Sequence, residues 1–436
     1  MELKKTLKLK LIPLTKRDKV ETLQFFKEYR SLVSEALNII VSSDARSKKK
    51  AHELCYRALR EKHPHLHNKF VEEAYKRALA MYKSYRKLLR KWERGKLRSK
   101  PTPPSVRELR VIDLHIDTFR VEQDGNYYLL RVSKGSGSHV KFVVMMYRYA
   151  LEQLRGARVG NSKLLVDEDE LFLLLTITKE IETRDAKNRI YIDTNEDNVS
   201  VLLVNYDEVT AKLFRISYDV SRIRTRYRCI RRSIQRKVEN PYIRNRLLSK
   251  YGARERNRVE DRLKRVAHVL GDIAEENNAV LVRERLRDLK NGEKSRSKRL
   301  NYRLGAFPYR KFFTYLDAEF AERGFRIEEV DARNTSITCP VCGYVDKRNR
   351  VNSKLFRCRK CGLTYNVHYI ACLNLLSRHN DGSVAISGGR VVIKPCEAGP
   401  VVPVYEAPND PAKSERVPRE KPVPRKTIVT KIIKRA

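Results

Sequence analysis

Two Cys-x-x-Cys pairs, Cys339/Cys342 and Cys358/Cys361, stand fifteen residues apart, and no other feature restricts the fold as much. Each pair places two thiolates on one tight turn, and two such turns complete a tetrahedron around Zn²⁺ at this spacing. Gly343 and Gly362 directly follow the second cysteine of each pair, where a residue without Cβ relieves crowding. Four thiolates leave no open coordination position, so the zinc is expected to be structural. Cys55, Cys229, Cys372 and Cys396 are scattered and read as ordinary thiols rather than a disulfide framework. The first fourteen residues alternate Lys with Leu and lack a secretory core, and no apolar run reaches a membrane span. The expected location is therefore intracellular and cytoplasmic, with no membrane partner.

The charge balance narrows the partner. The chain of 436 residues carries 94 Lys and Arg against 53 Asp and Glu, a net +41. An excess of that size points to a polyanion and makes a small-molecule substrate inadequate as the whole function. A hydrophobic fraction of 41% excludes a merely disordered basic chain. The length suggests roughly three domains and ample core. Gln occurs at only four positions among abundant Lys, Arg and Glu, a composition expected of a thermophile.

Periodicity divides the chain. Leu7, Leu9 and Leu11 alternate with Lys8 and Lys10, which predicts a half-buried strand with a cationic face. Helical spacing follows, and Lys100-Pro101-Thr102-Pro103-Pro104 ends it as a linker. Residues 109–181 are mostly β. The expected first region is thus a nucleic-acid-binding β-domain over 1–185, with a basic helical insertion at about 16–100. From Ile190 the pattern becomes three strands, a helical hairpin over 220–278, a buried strand at Ala279–Arg283, a helix closed by Gly324, and a further strand, a mixed α/β layer. On the first helix of the hairpin, Ile223, Tyr227, Ile230 and Ile234 form an apolar stripe. Arg222, Arg224, Arg226, Arg228, Arg231, Arg232, Arg236 and Lys237 cover the rest with no acid between them, a candidate phosphate-contacting face. Residues 379–436 lose periodicity and are expected to form a flexible basic tail.

Asp193 ends the apolar strand Ile190-Tyr191-Ile192, and Glu284 follows the strand residues Val280-Leu281-Val282-Arg283. Two acids on neighbouring strands of a mixed sheet are one way to hold Mg²⁺ for phosphodiester cleavage, although two exposed strand-end carboxylates would look the same. The surrounding segments resemble the TnpB (OrfB) family of insertion-sequence proteins, relatives of the type V CRISPR effectors. The resemblance rests on Ile190-Tyr191-Ile192-Asp193-Thr194-Asn195 and on Val280-Leu281-Val282-Arg283-Glu284-Arg285-Leu286. It continues through Asn334-Thr335-Ser336-Ile337-Thr338-Cys339-Pro340-Val341-Cys342-Gly343, then Cys358-Arg359-Lys360-Cys361-Gly362, and ends on Ala371-Cys372-Leu373-Asn374. It covers residues 190–376 and only the general character of the N-terminal region.

The resemblance implies an RNase H-like RuvC domain (186–334) with an inserted zinc ribbon (335–364) and a final helix (365–378), preceded by a wedge-like β-barrel. It implies a guide RNA and target DNA as partners, with base pairing reading the sequence, and a mobile-element origin. It also implies a catalytic set of Asp193, Glu284 and a third acid. Here the third position, aligned through Ala371 and Asn374, is His368, and Asn366 stands where the family has another acid. Mg²⁺ prefers oxygen ligands, whereas imidazole suits Mn²⁺ better. Three readings follow: a RuvC-type endonuclease in which His368 still serves, with Mg²⁺ or Mn²⁺; a nuclease-dead guided DNA binder acting as a roadblock or repressor; and an unguided zinc-ribbon RNA-binding protein.

Overall fold

The computed structural model describes residues 1–167, 170–285, 307–331, 333–387, 390–395 and 400–406. It comprises two compact units, Glu2–Glu180 and Ile181–Ala436, the second also taking in Met1. None of the described helices is long and apolar enough to cross a membrane.

In the first unit, the Lys/Leu alternation becomes β1 (Glu2–Pro13), with Leu7, Leu9 and Leu11 buried. Thr15 then opens α1 (Lys16–Ser42) with a capping box, its hydroxyl accepting from the Asp18 N–H while the Asp18 carboxylate accepts from the Thr15 N–H. Helices α2 (Lys48–Lys62) and α3 (Asn68–Glu93) complete the insertion, and the Pro-rich linker ends it. Phe25, Tyr29 and Phe70 pack edge to face between α1 and α3. Strands β2 (Val111–Leu114), β3 (Phe119–Asp124), β4 (Tyr127–Gly135), β5 (Ser138–Met145), β6 (Arg158–Val159), β7 (Ser162–Asp167) and β8 (Glu170–Glu180) follow, with α4 (Arg148–Leu154) between β5 and β6. The strand order is β2-β7-β8-β1-β5-β4-β3, with β6 paired to β8. The two ends of this path are joined through residues 115–118, a connection that reaches at most ~18 Å. Seven flat strands would span ~29 Å, so this sheet must curl.

The second unit is built on a sheet ordered β13-β12-β9-β10-β11-β18-β17-β16, and β14 (Leu355–Arg357) and β15 (Thr364–Asn366) pair separately as a two-stranded ribbon. Strands β9 (Asn188–Thr194), β10 (Asn198–Asn205) and β11 (Thr210–Ser217) are antiparallel neighbours. Strand β12 (Ala279–Arg285) runs parallel to β9 on its other side, and β13 (Ile327–Asp331) runs parallel to β12. The hairpin of α5 (Val220–Lys237) and α6 (Pro241–Glu276) connects β11 to β12. The helix before β13 is α7 (Tyr309–Glu322), and α8 (Val367–Arg378) lies on the opposite face of the sheet. Covered on both faces, the central strands β9, β10 and β12 are buried at most positions. Ile190, Ile192 and Leu281 face Leu263, Leu270 and Phe320 of α6 and α7. Tyr191, Leu202 and Val282 face Ile370, Leu373 and Leu376 of α8.

The expected flexible tail needs correction at its start. Residues 382–406 contribute β16 (Gly382–Ser387), β17 (Arg390–Pro395) and β18 (Val402–Glu406), and β18 pairs parallel to β11. Val384, Val391, Ile393, Val402 and Val404 are buried in the α8-side core, which is why this segment is drawn onto the sheet. Residues 407–436, Leu286 and Cys396 lie outside the described residues.

Candidate functional site

The pleat decides where the acids point. Tyr191 and Val282 are paired residues on β9 and β12, and both face α8. Asp193 and Glu284 lie two residues further along their strands, so both carboxylates emerge on that face, side by side. Helix α8 brings the third residue. Asn366 caps it, its side chain accepting the N–H of His368 at 3.0 Å, and this turn holds the imidazole over the sheet. His368 Nδ1 then lies 3.0 Å from Asp193 Oδ2. Asn366, aligned with an acid in the family pattern, is thus a helix cap in this chain.

The centre is electrostatically loaded. Asp193 is 8% exposed, and Asn195 Nδ2 donates to its Oδ2 at 2.9 Å. Burial and the neighbouring Asp193 charge push the Glu284 carboxyl up to about 8, while the Thr335 hydroxyl, donating to Glu284 Oε1 at 3.3 Å, and the Arg378 charge oppose the rise. Burial, followed by the charges of Asp193, Glu196 and Glu284, raises the Tyr309 phenol to about 12. A divalent cation between the carboxylates would relieve this repulsion. Two carboxylates and an imidazole suit such an ion, although the set is looser than the cysteine cluster. Asn195, Thr335, Tyr309 and Arg378 were not singled out from the sequence. The quoted motifs carried a hint for two of them, since Asn195 lies within Ile190–Asn195 and Thr335 within Asn334–Gly343.

The four cysteines form a tighter group, and among the described residues they alone bring three or more candidate ligand atoms all within 4.8 Å of one another. Sγ of Cys339 and Cys361 are 3.6 Å apart, and those of Cys342 and Cys358 are 3.5 Å apart. A tetrahedral zinc with Zn–S bonds of 2.3 Å needs sulfur separations of about 3.8 Å, so the set fits a metal such as zinc. The two turns share one pattern. Cys339 N–H donates to Tyr344 O and Gly343 N–H to Cys339 O, while Cys358 N–H donates to Leu363 O and Gly362 N–H to Cys358 O. Gly343 (φ +69°) and Gly362 (φ +75°) supply the left-handed residue this turn demands. Buried Asn349 links the two arms, donating to Ile337 O and Tyr344 O and accepting from the Arg359 N–H. Asn374 of α8 ties the knuckle to the acidic centre, donating to Thr335 O at 2.7 Å and Thr338 O at 2.8 Å.

Family models match a segment in each of the two units. The family described as "Cas12f1-like, TNB domain" matches residues 309–375, and the "Uncharacterized protein MJ0013 family" matches residues 25–123. A TnpB-like protein of Methanocaldococcus jannaschii is 24% identical over 233 residues, covering 53% of this chain and 82% of the relative. A TnpB-like protein of Aquifex aeolicus is 25% identical over 232 residues, covering 49% and 76% respectively. Over about half of its length the chain is similar to TnpB-like proteins. A Cas12f1–sgRNA–target DNA complex contains a chain of the same fold as this protein, with a TM-score of 0.57 at 13% identity over 86% of this chain and 98% of that one.

The arginine face of α5 is only partly free. Arg222, Arg226, Arg232, Arg236 and Lys237 are exposed, whereas Arg224, Arg228 and Arg231 are half-buried. Arg231 is paired with buried Glu255 of α6, so it holds the hairpin together instead of facing outward. Cys372 is fully buried, its thiol directed at Ser200 O, and His268 lies on the surface among Glu319, Asp272 and Arg323.

Proposed function

We propose that this protein is an RNA-guided DNA-binding protein of a mobile element, with a RuvC-type, metal-dependent nuclease centre in which His368 replaces the third acid. One observation carries this reading: Asp193 and Glu284 emerge from adjacent parallel strands onto one face, and His368 reaches Asp193 there. The β-order of the second unit, with β9 between β10 and β12, supports an RNase H-like RuvC domain, and the curled first sheet supports a wedge-like barrel. The net charge of +41 fits a guide RNA paired with target DNA.

Asp193 and Glu284 would hold Mg²⁺ or Mn²⁺, which polarises the scissile phosphate and activates water when bound. His368 has a separate role. An ionised carboxylate only accepts hydrogen bonds, so Nδ1 donates to Asp193, and in the neutral imidazole the lone pair then sits on Nε2. In that tautomer His368 accepts a proton from the attacking water. The same bond favours the second reading, a nuclease-dead guided binder, because it occupies an Asp193 oxygen and leaves only two carboxylates to offset metal charge.

Guided cleavage with Mg²⁺ and with Mn²⁺ tests both, comparing the native protein with His368→Asp and His368→Ala. Native activity greater in Mn²⁺ and lost in His368→Ala supports the base role. Activity confined to His368→Asp establishes the dead reading. Absence of co-purifying RNA and of guided binding would overturn the proposal as a whole.

A further inference from the structure

The α5–α6 hairpin carries an exposed aromatic residue that its internal packing does not use. Residues 220–254 hold twelve Lys or Arg and one acid, Glu239. The turn is fixed: Asn240 Oδ1 accepts the N–H groups of Tyr242 at 2.9 Å and Ile243 at 3.2 Å, and Pro241 occupies the first helical position of α6. Yet Tyr242 is 76% exposed, more than any other large apolar side chain among the described residues, and Ile243 beside it is 49% exposed. Tyr242, Arg246 and Lys250 recur every four residues and so share one face of α6, while Arg236 and Lys237 stand exposed on the other arm near the tip.

An aromatic ring on an ordered support, flanked by cations on both arms with Glu239 as the one acid near the tip, matches two features of a nucleic acid at once. Bases present π-faces, and phosphates take the cations. A protein partner would have to supply a dense acidic surface around an apolar contact. We propose that Tyr242 is a base-stacking cap, seated on an unpaired or terminal base of a nucleic acid while Arg236, Lys237, Arg246 and Lys250 engage the flanking phosphates. This rests on the nucleic-acid reading above and adds to it a site on the hairpin tip.

The test uses the full chain and three probes, an RNA duplex, a DNA duplex and an RNA–DNA hybrid, each with a single-strand overhang and 2-aminopurine at the junction. Native protein should quench at least one probe, and the probe it quenches identifies the strand chemistry. Tyr242→Ala should abolish that quenching and weaken binding roughly fivefold to a hundredfold. Tyr242→Trp should preserve both. The salt dependence should be unchanged in Tyr242→Ala but shallower by about one in Lys237→Ala. Equal affinity and quenching in Tyr242→Ala overturn the inference alone. So does a Tyr242→Ala variant that dissociates from dimer to monomer with unaltered nucleic-acid binding, which would assign the tip to self-association. Failure of the native protein to bind any probe overturns the nucleic-acid reading and this inference with it.

Discussion

The cysteine knuckle and the acidic centre share one unit and are both suited to cations, but they are assembled in opposite ways. The knuckle is local. Its four ligands lie within 23 consecutive residues, 339–361, its two turns repeat one hydrogen-bond pattern, and its sulfurs already sit near tetrahedral spacing. The acidic centre draws Asp193, Glu284 and His368 from segments up to 175 residues apart, and it depends on strand pairing and a helix cap for alignment. A local cluster can be finished by the metal it binds, whereas a dispersed one is only as good as the fold around it. The two are also coupled, because Asn374 grips the root of the knuckle and Thr335 from that root touches Glu284.

This contrast can be broken by mutation. The largest effect is expected at the knuckle, because structural zinc supplies on the order of 10 kcal/mol to folding in small zinc domains. Cys358→Ser should abolish zinc retention, measured by metal analysis, and lower the melting temperature, and through the Thr335 link it should also impair divalent-metal binding at the acidic centre. Asp193→Ala should act in one direction only, removing metal-dependent cleavage to below detection while zinc content and melting temperature hold. A loss of zinc in Asp193→Ala would show that the sites are not separable in this way. Asn374→Ala strands one buried and one half-buried carbonyl and should cost roughly 2 kcal/mol in chemical denaturation. Thr335→Val removes the hydrogen bond to Glu284 and should cost about 1 kcal/mol, with weaker Mn²⁺ affinity as the more sensitive readout.

The same contrast governs what could be read before folding. The knuckle was legible because its spacing is its geometry. Asp193 and Glu284 were legible as acids at the ends of apolar strands, and His368 through its place in the Ala371–Asn374 segment. The supporting contacts were not. Thr335 and Glu284 are 51 residues apart, and no periodicity predicts that a hydroxyl from the knuckle's root meets a strand-end carboxylate. Arg231 read as part of a free cationic face because its partner, Glu255, lies on the other arm of the hairpin. Residues 382–406 read as tail because their strands are short and interrupted by Gly and Pro, and because pairing of β18 with β11 joins segments nearly 200 residues apart. Parallel pairing over such distances leaves no local signature.

We propose that Asp193 and Glu284 form one divalent-cation centre distinct from the knuckle. Electron paramagnetic resonance of Mn²⁺ titrated into the zinc-loaded protein decides this. One bound Mn²⁺ per chain is expected, and it should disappear in both Asp193→Asn and Glu284→Gln while the zinc stays. Mn²⁺ binding that survives both substitutions, or that vanishes only when the cysteines are changed, would contradict it.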